Sequence, residues 1–130
     1  MNAALALAMA LAWAAGPAMP DLPVRIGGAA ELDACGSLAR VARLKRGGEN
    51  FLSVRARPSP RARELDRLGP GRLVWICDAA MDGAWTGIVY APAAGDADCG
   101  VGSPVPHRRA YAGTCASGWV ASRFLEGVAG

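Results

Sequence analysis

The sequence has very few of the side chains that enzymes most often use for acid–base or nucleophilic chemistry. Its 130 residues include a single histidine, His107, and the eleven acidic residues show no paired motif for general acid–base catalysis. A catalytic thiol would need a neighbouring base, and His107 is the only histidine available. We therefore expect a protein that is not an enzyme and that needs no cofactor.

Long helical patterns and aromatic residues are also scarce. Aromatic residues make up 6% of the chain, whereas 17 glycines and 9 prolines together account for one residue in five. Hydrophobic residues reach 52%, which is enough for a packed core and argues against general disorder. The length suits one domain. This composition predicts an all-β domain of short strands joined by many turns.

The first 18 residues contain no charged side chain. Residues 3–15 form an unbroken apolar stretch, and Gly16-Pro17-Ala18 follows it. An apolar segment of about 7–15 residues before small residues is typical of a secretory signal. The alternative is a membrane anchor, but spanning takes roughly 20 apolar residues. The pattern predicts cleavage between Ala14 and Ala18 and a periplasmic or secreted protein without a transmembrane segment.

Export changes the interpretation of the four cysteines. No two of them are two to four residues apart, so the sequence lacks the spacing of a zinc knuckle, and we expect no metal site. An even number of cysteines in a small exported domain indicates disulfides instead. Three pairings of Cys35, Cys77, Cys99 and Cys115 are possible, and spacing alone does not choose among them.

Positive charge is concentrated in one part of the chain. Between Arg40 and Arg72, ten basic residues face only three acidic ones, whereas residues 21–39 and 73–130 each carry a net charge of −2. One interpretation is a solvated surface, and the other is attraction to acidic surface polymers or lipid head groups. Because an exported protein rarely meets nucleic acid, we do not expect a nucleic-acid partner.

Several segments have the pattern of β-strands. Residues 52–57 alternate apolar and polar, which predicts a half-buried strand, and Pro58-Ser59-Pro60 ends it. Residues 73–77 form a continuous β-prone run, suited to a strand covered on both faces. Asp82-Gly83 is a hairpin dipeptide before a strand at 85–90, and residues 118–121 form the last predicted strand.

Two regions lack such a pattern. Residues 19–49 are interpreted as an N-terminal arm, in which 35–44 is either a short strand or a loose turn. Residues 91–116 are rich in Ala, Gly, Pro and Asp, with little to bury, and a structureless loop of this length is uncommon in a compact domain. We favour the pairs Cys35–Cys77 and Cys99–Cys115. The second would close this weak segment, and the first would tie the arm to the central strand.

Four segments in order resemble the bacterial SH3-type (SH3b) domain. They are NFLSVRARPS at 50–59, residues 65–76 with Gly69-Pro70-Gly71 at their centre, GAWTGIVY at 83–90 and SGWVASRFL at 117–125. The resemblance implies a small, partly open β-barrel of five to seven short strands over residues 50–126. The insert at 91–116 widens a connection that is normally a short hairpin in that family.

The resemblance also implies a binding or targeting module of the cell envelope. We expect a non-catalytic module whose partner is a cell-wall peptide, a glycan or an envelope protein. The alternative is a small envelope hydrolase or inhibitor with a site in the 91–116 insert. As ligand-binding residues we predict Trp85 and Tyr90 for stacking, and Arg55 and Arg57 for charge, because period 2 turns both arginines away from the core.

Overall fold

A computed structural model describes residues 19–45, 47–48, 50–92 and 98–128, so the predicted signal segment lies outside the described residues. These residues form an all-β structure, which confirms the predicted class, and no helix among them is long and apolar enough to cross a membrane. The strands are β1 (Arg25–Ile26), β2 (Ala29–Asp33), β3 (Ser37–Val41), β4 (Leu52–Arg55), β5 (Glu64–Leu68), β6 (Leu73–Ala80), β7 (Trp85–Tyr90), β8 (Pro104–Val105), β9 (Arg109–Ala110), β10 (Ala116–Ala121) and β11 (Leu125–Val128). A 3-10 turn, Ser122–Phe124, joins the last two.

Seven of these strands form one antiparallel sheet. Their order is β11-β3-β6-β7-β10-β4-β5, and each of the seven contributes at least one apolar side chain to a common core cluster. The buried members of the cluster are Ala39, Val41, Leu52, Val54, Leu68, Val74, Ile88, Tyr90 and Val120, with Leu125 packed against them. The pairing runs from β11 at one end to β5 at the other, so the sheet is not closed into the predicted barrel.

The large sheet also includes β3 from the N-terminal part of the chain. This strand comes from the segment interpreted as an N-terminal arm, yet it pairs with β6 on one side and with β11 on the other. Residues 35–44 thus contain a short strand rather than a loose turn, and the sheet extends beyond residues 50–126. The prediction that 118–121 is the last strand was also wrong, because β11 follows it and pairs with β3.

The local patterns in the middle of the chain predicted their strands correctly. Leu52, Val54 and Ala56 are buried, while the polar residues between them are only partly buried, as a period of two requires. The predicted hairpin joins β6 to β7 through residues 81–84, in which Met81, Asp82 and Gly83 have φ values of 54°, 55° and 87°. Gly adopts this conformation without strain, so Gly83 suits this turn.

The strands β6 and β7 are covered on both faces. Val74 and Ile88 point into the common core, whereas their neighbours Trp75 and Val89 belong to a second apolar cluster. This second cluster also contains Ile26 from β1 and residues of the insert. The prediction of cover on both faces therefore holds for residues 74–77, which belong to one cluster or the other, whereas Leu73 at the start of the run is 51% exposed.

The N-terminal segment and the insert cover this second face together. They pair through two small sheets, β1 with β9 and β2 with β8. Gly27, with φ of 82°, lies so close to Val105 that a Cβ atom there would be 2.5 Å from its carbonyl oxygen. The expectation that the insert has little to bury was wrong, because Val101 is fully buried and Cys99 is 7% exposed. Strands of two residues are too short to show a period in the sequence.

Both predicted disulfides are present. Cys35 is bonded to Cys77, which ties the N-terminal segment to β6, and Cys99 is bonded to Cys115, which closes the insert. The Tyr111 hydroxyl lies across the second loop, where it donates to the Cys99 carbonyl at 2.8 Å and accepts the Cys115 N–H at 3.1 Å. The disulfides thus hold the layer that covers the second face of the sheet. Such bonds are compatible with a periplasmic or extracellular location.

Candidate ligand-binding groove

A groove of about 860 Å³ opens beside the large sheet. Four parts of the chain form its walls: the residues after β3, the strand β4 with the turn that follows it, the start of β7, and the 3-10 turn after β10. Its lining residues are Arg43, Leu44, Lys45, Phe51, Leu52, Ser53, Arg55, Pro60, Ala84, Trp85, Ala121, Arg123 and Phe124. This volume is within the range of small-ligand sites, about 300–1,000 Å³.

The lining combines positive charge with aromatic rings. Four of its residues are cationic, and none of the thirteen is acidic. Three are aromatic, namely Phe51, Trp85 and Phe124. Cations draw an anionic group toward a concave surface, and aromatic faces offer contact to apolar or planar parts of the same ligand. The groove is therefore suited to a ligand that carries an anionic group together with an apolar or planar part.

Cations also hold two of these rings in place. The Arg67 guanidinium lies over the Phe51 ring at 4.2 Å from its centre, and the Arg123 guanidinium lies over the Phe124 ring at 4.7 Å. Each such contact contributes about 0.5–1 kcal/mol at exposed sites. The rings are thus ordered before any ligand arrives.

Glu64 on β5 lies opposite the lining residue Arg55 on β4, and its carboxylate already has hydrogen-bond partners. Glu64 accepts a hydrogen bond from the Ser53 hydroxyl and another from Arg67 Nε at 2.8 Å. These two bonds hold the pKa of Glu64 below its usual value, with desolvation opposing them and the charges of Arg67 and Arg55 adding to them. Glu64 therefore stays ionised and paired with Arg67, and its charge partly offsets that of Arg55, one of the four lining cations.

The structure brings together only two of the four predicted binding residues. Trp85 and Arg55 both line the groove, and Arg55 is fixed by a 3.0 Å bond from its Nη1 to the Ala62 carbonyl. Arg57 is half-buried beside the turn after β4 and is not among the lining residues. Tyr90 is 2% exposed in the common core, so it offers no face to a ligand, and that part of the prediction was wrong.

Tyr90 is oriented by a polar contact at the edge of the core. Its hydroxyl donates to Asp66 Oδ2 at 2.8 Å, and the Arg72 guanidinium lies 5.6 Å from its ring centre. Burial, reinforced by the bond to Asp66, raises the pKa of Tyr90 above its usual value, while the charge of Arg72 opposes this. The period-2 pattern could have found this, because Tyr90 shares its face with Ile88.

The raised pKa of Tyr90 predicts an alkaline stability effect. Below the usual tyrosine pKa of 10.0, both folded and unfolded chains hold the proton, and the hydroxyl contributes fully to stability. Above it, the unfolded chain loses the proton while the folded chain keeps it, so this contribution falls as pH rises. We expect Tyr90→Phe to lower the free energy of unfolding by about 1.5 kcal/mol at neutral pH. In urea titrations, the difference in free energy of unfolding between the wild type and Tyr90→Phe should shrink above about pH 10. A difference that stays constant with pH would contradict a raised pKa of Tyr90 in the folded protein.

Sequence reasoning missed most of the groove. Arg43 and Lys45 lie within the basic stretch that begins at Arg40, but nothing in the sequence shows that they fold against β4. Phe51 directly precedes β4 and Phe124 lies in the 3-10 turn after β10. These residues are 73 positions apart, and the pairing of β4 with β10 brings their segments to the same groove. The available signal was weak, because Phe51 lies within the basic stretch but Phe124 follows a single arginine, Arg123.

The insert shows no comparable site in its described part, residues 98–116. His107 is exposed there, and no hydrogen bond joins it to a serine, threonine or cysteine side chain of the described chain. The main interactions of this part are structural: Asp98 accepts the Gly102 N–H at 3.2 Å, and Arg108 pairs with Asp78 at 2.5 Å.

No protein-family model, curated protein or solved structure matches this chain. The resemblance to the bacterial SH3-type domain therefore stays a prediction based on its four segments. The class that the structure does define is an all-β domain with two disulfides.

Proposed function

We propose that the protein is a non-catalytic binding module of the cell envelope, a divergent relative of the bacterial SH3-type domain, and that it binds an anionic ligand in the groove. The ligand is a cell-wall component or an envelope protein that carries carboxylate or phosphate groups. The observation that carries this proposal is the lining itself, with four cations, three aromatic rings and no carboxylate.

The charge of the groove supports an anionic ligand. The basic stretch from Arg40 to Arg72 carries a net charge of +7, and three of the four lining cations come from it. The alternative interpretation of this basic stretch was a solvated surface without a ligand. The groove favours the binding interpretation, because a merely solubilising face needs no concave apolar lining beside the charges.

The two disulfides support an exported location. An extracytoplasmic protein meets acidic polymers and proteins at the cell surface, which would provide partners for a cationic groove.

Retention on purified cell wall and envelope extract tests the proposal. We expect Trp85→Ala and Arg55→Gln each to reduce retention about five- to tenfold, because one removes an aromatic contact and the other a fixed cation. Raising the salt concentration from about 0.05 M to about 0.5 M should also reduce the retention of the wild type, since exposed charges are screened.

Two further variants serve as matched controls. Arg109→Gln removes one exposed cation on β9, in the layer on the other side of the sheet, and Arg57→Gln removes one beside β4 that does not line the groove. Both should be retained like the wild type. Equal retention of all four variants, or no retention of the wild type, would count against the groove as the binding site.

A further inference from the structure

Arg43 has a backbone conformation that residues with side chains rarely adopt. Its φ is 61°, in the left-handed region that favours glycine. Non-glycine residues persist there only when the surrounding structure holds them, and they occur preferentially at functional sites. Here the preceding residue is fixed by a 2.8 Å bond from the Ala42 N–H to the Phe124 carbonyl. This geometry places the Arg43 side chain in the lining of the groove.

The side chain of Arg43, an exposed residue, makes two hydrogen bonds to backbone carbonyls. Its Nη1 atom donates to the Arg123 carbonyl at 3.2 Å and to the Leu125 carbonyl at 3.0 Å. A guanidinium has five N–H donors, of which two are on Nη1, and these two bonds use both of them. The three on Nε and Nη2 make no hydrogen bond within the part of the chain that the structure describes.

These remaining donors have the geometry of a carboxylate receptor. The Nε and Nη2 edge of a guanidinium forms two parallel hydrogen bonds to the two oxygens of a carboxylate. Because the backbone carbonyls already fix the guanidinium plane, little side-chain entropy is lost when a ligand binds. Arg43 is thus organised for one planar anion before the ligand arrives.

We propose that Arg43 binds the carboxylate of a peptide, and that an apolar side chain next to this carboxylate packs against Trp85 in the same groove. This inference rests on the proposed function and specifies its ligand. A peptide with an apolar side chain beside its carboxylate would use both the Arg43 edge and the aromatic wall at Trp85, whereas a phosphate-rich polymer would leave that wall without a partner.

Two probes that differ only in the anion test the proposal on the unmodified chain. They are N-acetyl-alanyl-phenylalanine with a free carboxylate and the same dipeptide with a carboxamide. In NMR titrations we expect the acid to shift the Nε–H signal of Arg43 and the indole N–H signal of Trp85 in a saturable way. The amide should bind about tenfold more weakly, as expected for the loss of a charge-assisted pair.

The variant Arg43→Lys separates the fork geometry from the charge. It keeps the positive charge but lacks the paired donors, so we expect about a tenfold loss for the acid and no change for the amide. Arg109→Lys is the control and should leave both affinities unchanged. If Arg43→Lys does not fold, the acid-to-amide ratio of the wild type still decides the question.

Equal affinity for acid and amide would overturn the proposal, as would an Arg43→Lys variant that binds the acid as the wild type does. Inorganic phosphate that shifts the Arg43 signal at the same concentration as the acid would overturn the choice of a peptide carboxylate. If these results came with salt-sensitive, Trp85-dependent retention on envelope extract, only this inference would fail. Loss of that retention as well would mean that the proposed function is wrong.

Discussion

Replacing Trp119 with alanine is expected to lower the free energy of unfolding by about 3–5 kcal/mol. Trp119 is 1% exposed on β10, where its backbone lies between Gly87 of β7 and Arg55 of β4. Its indole Nε1 donates to the Leu22 carbonyl at 2.8 Å, which attaches the N-terminal segment to the sheet. Truncation would leave a large cavity and an unpaired carbonyl, so both the apolar and the polar contacts would be lost.

Urea denaturation of three tryptophan variants checks this expectation. Trp119→Phe keeps the ring but not the N–H donor, so its loss should be smaller, about 1–2 kcal/mol. Trp85→Ala removes a half-buried ring from the groove and should cost less than Trp119→Ala. A loss below about 1 kcal/mol for Trp119→Ala would show that the centre of the sheet is not packed as described.

Removing the Cys35–Cys77 disulfide with alanine at both positions is the second large expected effect. The bond closes a loop with a sequence separation of 42, for which the chain-entropy relation gives about 4 kcal/mol. The local consequence should fall on the layer that covers β6 and β7. Two backbone bonds there, from Ala34 N–H to the Ser103 carbonyl and from Cys35 N–H to the Val101 carbonyl, join the N-terminal segment to the insert.

Hydrogen exchange and urea denaturation together measure this effect. Amide protection should fall first at Ala34 and Val101, whereas Ile88 in the centre of the large sheet should keep most of its protection. The matched comparison is alanine at Cys99 and Cys115, whose separation of 16 predicts a smaller loss of about 3 kcal/mol. Uniform loss of protection over both layers would contradict a separately attached layer.

Much of the fold followed from local patterns in the sequence. The alternation at 52–57, the Asp82-Gly83 hairpin and the apolar run at 73–77 each depend on neighbouring residues, and period 2 carries that information. The disulfide pairing was predicted because residues 19–49 and 91–116 were expected to need attachment, and both bonds are present although the insert buries Val101. The all-β class follows from the same features.

The arrangement of the sheet could not be predicted in this way. The pairing of β3 with β11 joins residues more than 80 positions apart, and no local signal specifies such a contact. The groove could not be predicted for the same reason, since its lining comes from four separate parts of the chain. Arg55 lies within the predicted strand 52–57 and Trp85 follows the predicted hairpin. Both line the groove, and their role in binding stays a prediction. Tyr90 was misplaced because a residue at a strand end next to a long insert was interpreted as exposed.

The most direct test of the central claim is a map of backbone amide shifts while an acidic polypeptide, poly-glutamate, is titrated into the labelled protein. The account predicts saturable shifts concentrated at the residues after β3, at the start of β7 and at the 3-10 turn, with weaker binding as salt rises. Shifts spread evenly over all exposed basic residues, with Arg109 moving as much as Arg43, would contradict a specific groove.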